Sequence, residues 1–229
     1  EKRVNDIESF AADVAHELKN PLTSLRSASE TFIQAKNKKD QRQMIEIMFK
    51  DIDRIDRLIT DISFSSRLDA DLVRTKFENI DLFKLLENYI SIRATKLKYK
   101  IIHDQNETDI QLIGNSNKLV QVFDNLIDNS LSIIGKNCKI NIRVFSKRKK
   151  IFILFEDNGP GLPKNSINKI FDRFYTDRIN QKEFGKHSGL GLSISKQIIS
   201  AHNGDIFAEN IINDDKKIIG ARVNIILNK

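Results

Sequence analysis

A histidine with an acidic neighbour and a nearby amide lies close to the start of the chain, in the string His-Glu-Leu-Lys-Asn-Pro-Leu at residues 16–22. An exposed imidazole has a free ring nitrogen near neutral pH and can act as a nucleophile. Glu17 can accept or orient the ring proton, and Asn20, one helical turn from His16, can position a water molecule. His16 could therefore accept a transferred group. A solvated surface histidine in a kinked helix would give the same sequence pattern.

Two asparagines, Asn125 and Asn129, are four residues apart in a segment with helical periodicity over residues 116–134, and so share one face of that helix. Amide oxygens can bind a hard cation such as Mg²⁺ while the ion keeps its waters and contacts phosphates. The pair is a candidate metal site, but capping or surface polarity would also explain it.

Two glycine-containing stretches follow. Residues 157–162 read Asp-Asn-Gly-Pro-Gly-Leu after an apolar strand, so the carboxylate of Asp157 could accept a hydrogen bond from an exocyclic amine beside a flat ligand. Residues 188–192 read Ser-Gly-Leu-Gly-Leu and open a helix, whose free amides and dipole could hold phosphates. Each stretch alone is equally consistent with a tight turn.

Heptad repeats indicate how the His16 segment is held. One repeat comprises Val4, Ala11, Leu18, Leu25 and Phe32 with Ile7, Val14, Pro21, Ala28 and Ala35; a second comprises Ile45, Ile52 and Ile59 with Met48, Ile55 and Ile62. With these positions facing partner helices, His16 occupies the outermost site and faces water. A polar turn at 36–40 predicts a helical hairpin, with its first helix over residues 3–34. Such a hairpin cannot bury its seam alone, which predicts a homodimeric four-helix bundle.

The heptads end near residues 65–69, where a short linker is expected, and a mixed pattern follows. Helices are predicted near 82–96, 116–134 and 190–202, and strands near 75–80, 100–103, 110–113, 139–145, 151–156, 204–209 and 218–227. Without strict alternation of strand and helix, this pattern favours an α+β sandwich over a Rossmann fold. The sequence predicts two domains, 1–68 and 69–229.

Composition narrows the functional classes. The chain has 229 residues, 40% of them hydrophobic and 30% charged, which is typical of globular domains. The net charge of +7 lies in the second half and could attract phosphates or an acidic partner, although lysines spread over solvated faces would give the same charge. The basic residues do not alternate with aromatic ones, so nucleic-acid binding finds no support. A single cysteine, Cys138, excludes an internal disulfide and fits a reducing compartment.

Taken in order, these motifs resemble those of the sensor histidine kinases of bacterial two-component systems. Residues 16–22 resemble the H box. Four later segments resemble the N, G1, F and G2 boxes of the Bergerat (GHKL) ATP-binding fold: Asn125 with Asn129, residues 157–161, Phe171-Asp172-Arg173-Phe174, and residues 189–191. The runs 174–178 and 188–195 are similar to ChvG-type kinases of alphaproteobacteria.

The resemblance implies that His16 takes the γ-phosphoryl group of ATP with help from Glu17, and that Glu17 with Asn20 supports hydrolysis of phosphate from a response regulator. It also implies the nucleotide contacts: Asn125 and Asn129 for Mg²⁺ and phosphates, Asp157 for the adenine amino group, Gly159 and Gly161 for the pocket, and Gly189, Leu190, Gly191 and Leu192 for the phosphates. Phe171 and Phe174 would anchor a lid over residues 175–188.

The implied partners are a second copy of the chain and the receiver domain of a response regulator. No apolar run approaches the roughly 20 residues that a membrane span needs, and the chain begins in heptad register without a methionine. We therefore expect a fragment without direct membrane contact, the cytoplasmic portion of an inner-membrane receptor.

One departure from the family concerns the residues after Asn129. Many relatives have a lysine or tyrosine there that reaches the phosphates, whereas this chain reads Ser130-Leu131-Ser132. Arg173, or Arg178 or Lys182 in the lid, could supply the missing charge. Two other functions stay open at this point: an ATPase that does not phosphorylate itself, and a dimeric scaffold with a degenerate pocket.

Overall fold

The structure is a computed structural model that describes the backbone of residues 2–74, 76–93, 98–103, 110–163, 166–175 and 189–229. Within these ranges, the side chains of residues 2–9, 64–74, 98–103 and 136 are not described. The chain forms two compact units, Glu1–Leu68 with Phe174–Leu190, and Asp69–Arg173 with Gly191–Lys229. None of the helices in the described part combines the length and the hydropathy that crossing a membrane requires.

The first unit contains the predicted helical hairpin. Helix α1 spans Lys2–Gln34 and helix α2 spans Lys38–Arg74. Between them, the side-chain oxygen of Asn37 accepts a hydrogen bond from the backbone N–H of Asp40 at 2.8 Å, which caps the start of α2. Helix α2 also continues through residues 65–69, so the linker predicted there is wrong.

The buried face of α1 follows the predicted heptad. Pro21 and Ala28 are buried, and Val14, Leu18 and Leu25 are half-buried. His16 lies outside this face and is exposed, as predicted.

Helix α2 covers one of its two predicted registers within a single chain, since Met48, Ile55 and Ile62 are half-buried. Among its described side chains, those of Arg54 and Leu58, one turn apart, are buried, with exposed fractions of 6% and 0%. Several large apolar side chains are exposed instead: Ile45, Phe49, Ile52 and Ile59. The first register predicted for α2 therefore does not pack within one chain, because the turn that contains Arg54 and Leu58 occupies the buried side.

The second unit is an α/β sandwich, as predicted. In chain order it contains β1 (Glu78–Asp81), α3 (Leu82–Arg93), β2 (Lys98–His103), β3 (Gln111–Gly114), α4 (Ser116–Ile134), β4 (Lys139–Lys147), β5 (Lys150–Asp157), α5 (Gly191–Ala201), β6 (Asp205–Ile212) and β7 (Ile218–Asn228). The main sheet has the order β2-β4-β5-β7-β6, and β1 pairs with β3 in a separate ribbon. Only the β2–β4 pair of the main sheet is parallel among the strands described.

The core lies between one face of this sheet and helices α4 and α5. On β4, Ile140, Ile142 and Val144 alternate with more exposed residues, as expected for a strand with one buried face. Phe123 of α4 is fully buried, and its ring centroid lies 5.5 Å from that of Phe155 on β5. Cys138 is also buried, and burial raises the pKa of its thiol to about 11, so the thiol stays protonated.

A buried histidine joins α5 to the start of α4. Nε2 of His202 accepts a hydrogen bond from the backbone N–H of Asn115 at 3.0 Å, and Nδ1–H donates to the carbonyl of Ile198 at 2.8 Å. The ring of Phe77 packs on the imidazole, with centroids 4.8 Å apart. Burial lowers the pKa of His202, and the bond to Ile198 opposes that effect only in part. His202 is therefore a neutral structural residue.

This arrangement predicts a loss of stability as the pH falls through about 6.5, the ordinary pKa of histidine. The unfolded chain then gains a proton at residue 202 that the folded chain resists, so the free energy of unfolding decreases. Urea unfolding at pH 8, 6 and 5 measures this slope. His202→Ala should cost about 1–3 kcal/mol at pH 8, because the Asn115 N–H loses its acceptor, and should flatten the slope between pH 8 and 5. An unchanged slope in the variant would contradict this assignment.

Candidate functional site

His16 and its neighbours occupy three different environments on α1. The imidazole of His16 and the amide of Asn20 are both exposed, whereas Glu17 is half-buried. The carboxylate of Glu17 forms an ion pair with Arg54 of α2, with 3.0 Å between Oε2 and Nη2. His16 is thus accessible to an incoming group, and Glu17 is held by the second helix of the hairpin.

The carboxylate of Asp157, at the end of β5, is held by three donors. Its Oδ1 accepts hydrogen bonds from the backbone N–H groups of Gly159, at 2.9 Å, and Ala221, at 3.2 Å. Its Oδ2 accepts a bond from the hydroxyl of Ser130 on α4, at 3.0 Å. A carboxylate oxygen has two acceptor sites, so Oδ2 can still accept a bond from a ligand.

Asp157 lies in an open cleft between α4, α5 and the sheet. The cleft walls are largely apolar, with Leu126, Ile133, Ile140, Phe155, Leu162, Ile170, Leu192 and Val223 among the lining residues. Asn129, Ser130 and Asp157 are polar groups in the same lining. An apolar cleft with a few convergent polar groups is the usual form of a small-molecule site.

The neighbouring acid, Glu156, has different partners. Its carboxylate accepts hydrogen bonds from Asn141, Arg143 and Arg222 on the adjacent strands. Burial would raise the pKa of Glu156, but these three bonds together hold it below its ordinary value. The Glu156 carboxylate is thus bound to neighbouring strands of the sheet, and Asp157 is the acid that can bind a ligand in the cleft.

The two predicted metal ligands, Asn125 and Asn129, make different contacts. The side-chain nitrogen of Asn125 donates to the carbonyl of Gly191 at 2.9 Å and to the hydroxyl of Ser195 at 3.2 Å. It therefore ties the first turn of α5 to α4. Asn129 lines the cleft one turn further along α4.

Glycines are required around Asp157 because the chain passes close to itself there. Gly161 has φ +80°, and a Cβ atom on it would lie 2.3 Å from Ile218. A Cβ on Gly159 would lie 2.9 Å from the Asp157 carboxylate. Both glycines were predicted to shape the pocket, and both positions exclude larger residues.

Phe171 and Phe174 are buried, as expected for anchoring residues, and Arg173 is exposed. Gly189 has φ +73° and packs so closely on the backbone of Phe174 that a Cβ would lie 2.7 Å from its carbonyl carbon. Leu190 is fully buried, and Leu192 lines the cleft. Residues 176–188 of the predicted lid, with Arg178 and Lys182, lie outside the described residues.

Sequence reasoning missed four residues at these sites. Ser130 was noted only for not being a lysine, and nothing marked Arg54 or Gly220 as special. A Cβ on Gly220 would lie 1.9 Å from the carbonyl oxygen of Asp157, so β7 can approach β5 here only through a glycine. Asn210 exchanges two hydrogen bonds with the backbone of Leu162 and holds the glycine turn. All four act across long sequence separations, which leave no local signal.

Two family models match the chain. Residues 6–71 match the His Kinase A (phospho-acceptor) domain, and residues 114–228 match the histidine kinase-, DNA gyrase B- and HSP90-like ATPase family. Together they include His16 and the whole cleft.

Curated relatives agree with these matches. The chain is 44% identical over 230 residues to the sensor protein ChvG of Rhizobium meliloti, covering 96% of this chain and 40% of that protein. It is 31% identical over 218 residues to the sensor histidine kinase WalK of Bacillus subtilis, covering 92% of this chain and 36% of that protein. The chain thus spans about two fifths of the length of these relatives.

Solved structures share the fold. The histidine kinase ThkA in complex with the response regulator protein TrrA superposes with a TM-score of 0.70 at 22% identity, covering 100% of this chain and 63% of that chain. A nucleotide-free catalytic domain of ThkA gives a TM-score of 0.55 at 26% identity, covering 68% of this chain and 97% of that one. The chain combines a phospho-acceptor hairpin with an ATPase-type sandwich and has a ChvG-like sequence. It therefore belongs to the family of bacterial sensor histidine kinases.

Proposed function

We propose that this chain is an ATP:protein-histidine phosphotransferase in which His16 accepts the γ-phosphoryl group of ATP bound in the cleft. The observation that carries the proposal is the exposure of the His16 imidazole on a helix whose other face is packed. A nucleophile needs an accessible ring nitrogen, and a packing role for this histidine would bury it. The phospho-acceptor family match at residues 6–71 agrees with this assignment.

The cleft suits adenine. Its apolar walls can stack against a planar base, and Asp157 presents an acceptor that the exocyclic amine of adenine can donate to. Guanine has a carbonyl oxygen at that position, which a carboxylate repels. The hydrogen bonds from Ser130, Gly159 and Ala221 fix the carboxylate before the ligand arrives, so little ordering cost remains on binding.

The triphosphate would extend from the cleft towards the first turn of α5. Free N–H groups at a helix N-terminus favour negative charge, and α5 begins at Gly191, next to Leu192 in the cleft lining. Asn129, with Asn125, is the proposed contact for Mg²⁺, because amide oxygens are hard ligands. Asn125 also positions α5, because its side-chain nitrogen donates to Gly191 and Ser195. Mg²⁺, when bound, would neutralise phosphate charge.

Transfer would proceed by in-line attack of one ring nitrogen of His16 on the γ-phosphorus. A nitrogen–phosphorus bond forms, the bond to the bridging oxygen breaks, and ADP leaves with the electron pair. The proton on the other ring nitrogen passes to, or is held by, Glu17. Positioning and charge stabilisation supply most of the catalysis in such reactions.

We propose that the phosphohistidine then donates its phosphoryl group to an aspartate in the receiver domain of a response regulator. The ThkA structure, which has this fold, contains a response regulator protein. Asn20 and Glu17 would position a water molecule that hydrolyses the aspartyl phosphate, giving the chain phosphatase activity as well.

A homodimer is the proposed assembly. Phe49, Ile52 and Ile59 on α2 have exposed fractions of 64%, 51% and 52% in a single chain. Contiguous apolar side chains of this size normally mark an interaction surface, and a second hairpin would complete a four-helix bundle. We further propose that residues 1–68 and 69–229 are the functional domains. The chain as a whole would form the cytoplasmic part of an inner-membrane receptor.

The direct test incubates the protein with Mg²⁺ and ATP labelled on the γ-phosphate. We expect label to enter the protein as an acid-labile, alkali-stable adduct, and no label to enter from ATP labelled on the α-phosphate. Release of labelled phosphate without a protein adduct would replace the proposal with a simple ATPase. Neither adduct nor turnover would leave a nucleotide-binding scaffold.

A further inference from the structure

Among the ion pairs that the structure describes in the helical unit, the pair between Arg54 and Glu17 is shielded from solvent. Arg54 of α2 has a side chain only 8% exposed, and the side chain of its partner, Glu17 of α1, is 21% exposed. The other ion pair of this unit described by the structure joins Arg26 to Glu30, with exposed fractions of 83% and 62%. Solvent screens an exposed pair strongly and a buried pair little. Of these two pairs, the Arg54–Glu17 contact is therefore better able to hold its side chains in place.

A charge in an apolar seam needs a reason, because a well-packed hydrophobic pair in the same volume is often at least as stable. Leu58, the next buried residue on this face of α2, shows that the seam accepts such packing. Glu17 directly follows His16 in the chain. The position of the pair thus connects a buried cation on α2 with the residue beside the proposed phosphoacceptor.

Helix geometry explains why the Glu17 carboxylate needs a further contact to hold it beside His16. Successive residues on a helix diverge by about 100°, so Glu17 does not face His16 by default, and its side chain could adopt several rotamers. The ion pair uses Oε2 of Glu17 and leaves Oε1 to accept the N–H of an imidazole. Carboxylates that orient a histidine are commonly held in this way by a further donor.

We propose that Arg54 is the positioning residue for Glu17 in the chemistry at His16. Arg54 restricts the Glu17 carboxylate so that one oxygen is bound to the guanidinium and the other is available to the His16 ring. This inference rests on the proposed phosphotransfer function and names a residue on α2, 37 positions away in the chain, that the His16 motif does not contain.

The test compares autophosphorylation rates at saturating ATP. Arg54→Met keeps the buried volume without the charge, and we expect it to slow labelling of His16 about 10- to 100-fold, the usual effect of removing a residue that holds a functional side chain. Arg54→Lys keeps the charge and should restore part of the rate. The concentration of ATP at half-maximal rate should not change, because the cleft residues are intact. Arg26→Met, in the exposed pair, is the matched control and should label like wild type.

A double-mutant cycle distinguishes positioning of Glu17 by Arg54 from a purely structural role of Arg54. If Arg54 acts through Glu17, then adding Arg54→Met to Glu17→Gln should change the rate less than twofold, because the two changes remove one interaction. Full additivity, or an unchanged or faster rate in Arg54→Met alone, would overturn the inference. Sedimentation and circular dichroism of each variant check assembly and helix content, and Arg54→Lys serves if Arg54→Met does not fold. Absence of label in the wild type would instead refute the proposed function.

Discussion

Replacing His16 with glutamine will abolish incorporation of the γ-phosphoryl group. Glutamine is about as long as histidine and favours helices, but its amide nitrogen has no free lone pair to attack phosphorus. Because residue 16 is exposed, the substitution should change the free energy of unfolding by no more than about 0.5 kcal/mol. Acid-labile label measured over a time course should fall to background.

The control for this loss is Lys19→Gln, which alters another exposed residue of the same helix and should leave labelling within about twofold. Nucleotide affinity of His16→Gln, measured by calorimetric titration, should equal that of wild type, since the described lining of the cleft comes from residues 126–223. Persistent label in His16→Gln would place the phosphoacceptor elsewhere and remove the basis of the proposal.

Replacing Asp157 with asparagine will weaken ATP binding by about 100-fold, or 2.7 kcal/mol. The carboxylate accepts from Ser130, Gly159 and Ala221 and offers one more acceptor site to the ligand. An amide has only one acceptor oxygen, so its NH₂ group must face a donor on one side. If the amide oxygen faces Gly159 and Ala221, the NH₂ group faces the ligand, and the adenine amine loses its acceptor. If the amide is turned, the two backbone N–H groups lose theirs.

Titration with ATP and with GTP makes this measurement specific. Asp157→Asn should reduce the preference for ATP over GTP, because the group that rejects the guanine carbonyl is gone. Asp205→Asn, at an exposed acid at the start of β6 and outside the cleft lining, is the control and should bind like wild type. Equal ATP affinity in Asp157→Asn would show that this carboxylate does not contact the base.

Local chemistry made the catalytic framework predictable. Helix α4 was predicted with both ends correct, because Asn115 caps it through its side chain and Gly135 follows it with φ +71°. The alternating residues of β4 identified its buried face. Motif order placed Asp157, Gly161 and Asn129 in one site, and the structure brings all three to the cleft.

The ends of two strands could not be predicted so well. Strands β4 and β5 extend further than expected, with Lys147 paired to Lys150. The two residues between them, Arg148 and Lys149, have φ values of 49° and 64°, which sequences usually signal with glycine or asparagine. Basic residues in such a turn carry no recognisable signal, so the hairpin appeared to have a longer loop.

The neighbour that covers the first register of α2 could not be predicted from spacing either. Isoleucines with heptad spacing indicate that a face is apolar, but not which neighbour covers it. Nothing in the heptad pattern marks Arg54 as buried, and its ion pair with Glu17 offsets part of the cost of burying its charge. Contacts of this kind depend on the folded arrangement of two helices and cannot be derived from either helix alone.

Because the isoleucines and Phe49 of α2 are exposed in a single chain, the stability of the helical unit should depend on the concentration of the protein. When association buries a surface, mass action makes the melting temperature rise with protomer concentration. The sheet unit has its own enclosed core, so its melting should be independent of concentration. Dilution would then destabilise the helices that present His16 while the nucleotide cleft stays folded. At a low concentration of the protein in the cell, nucleotide binding would therefore persist after phosphotransfer is lost.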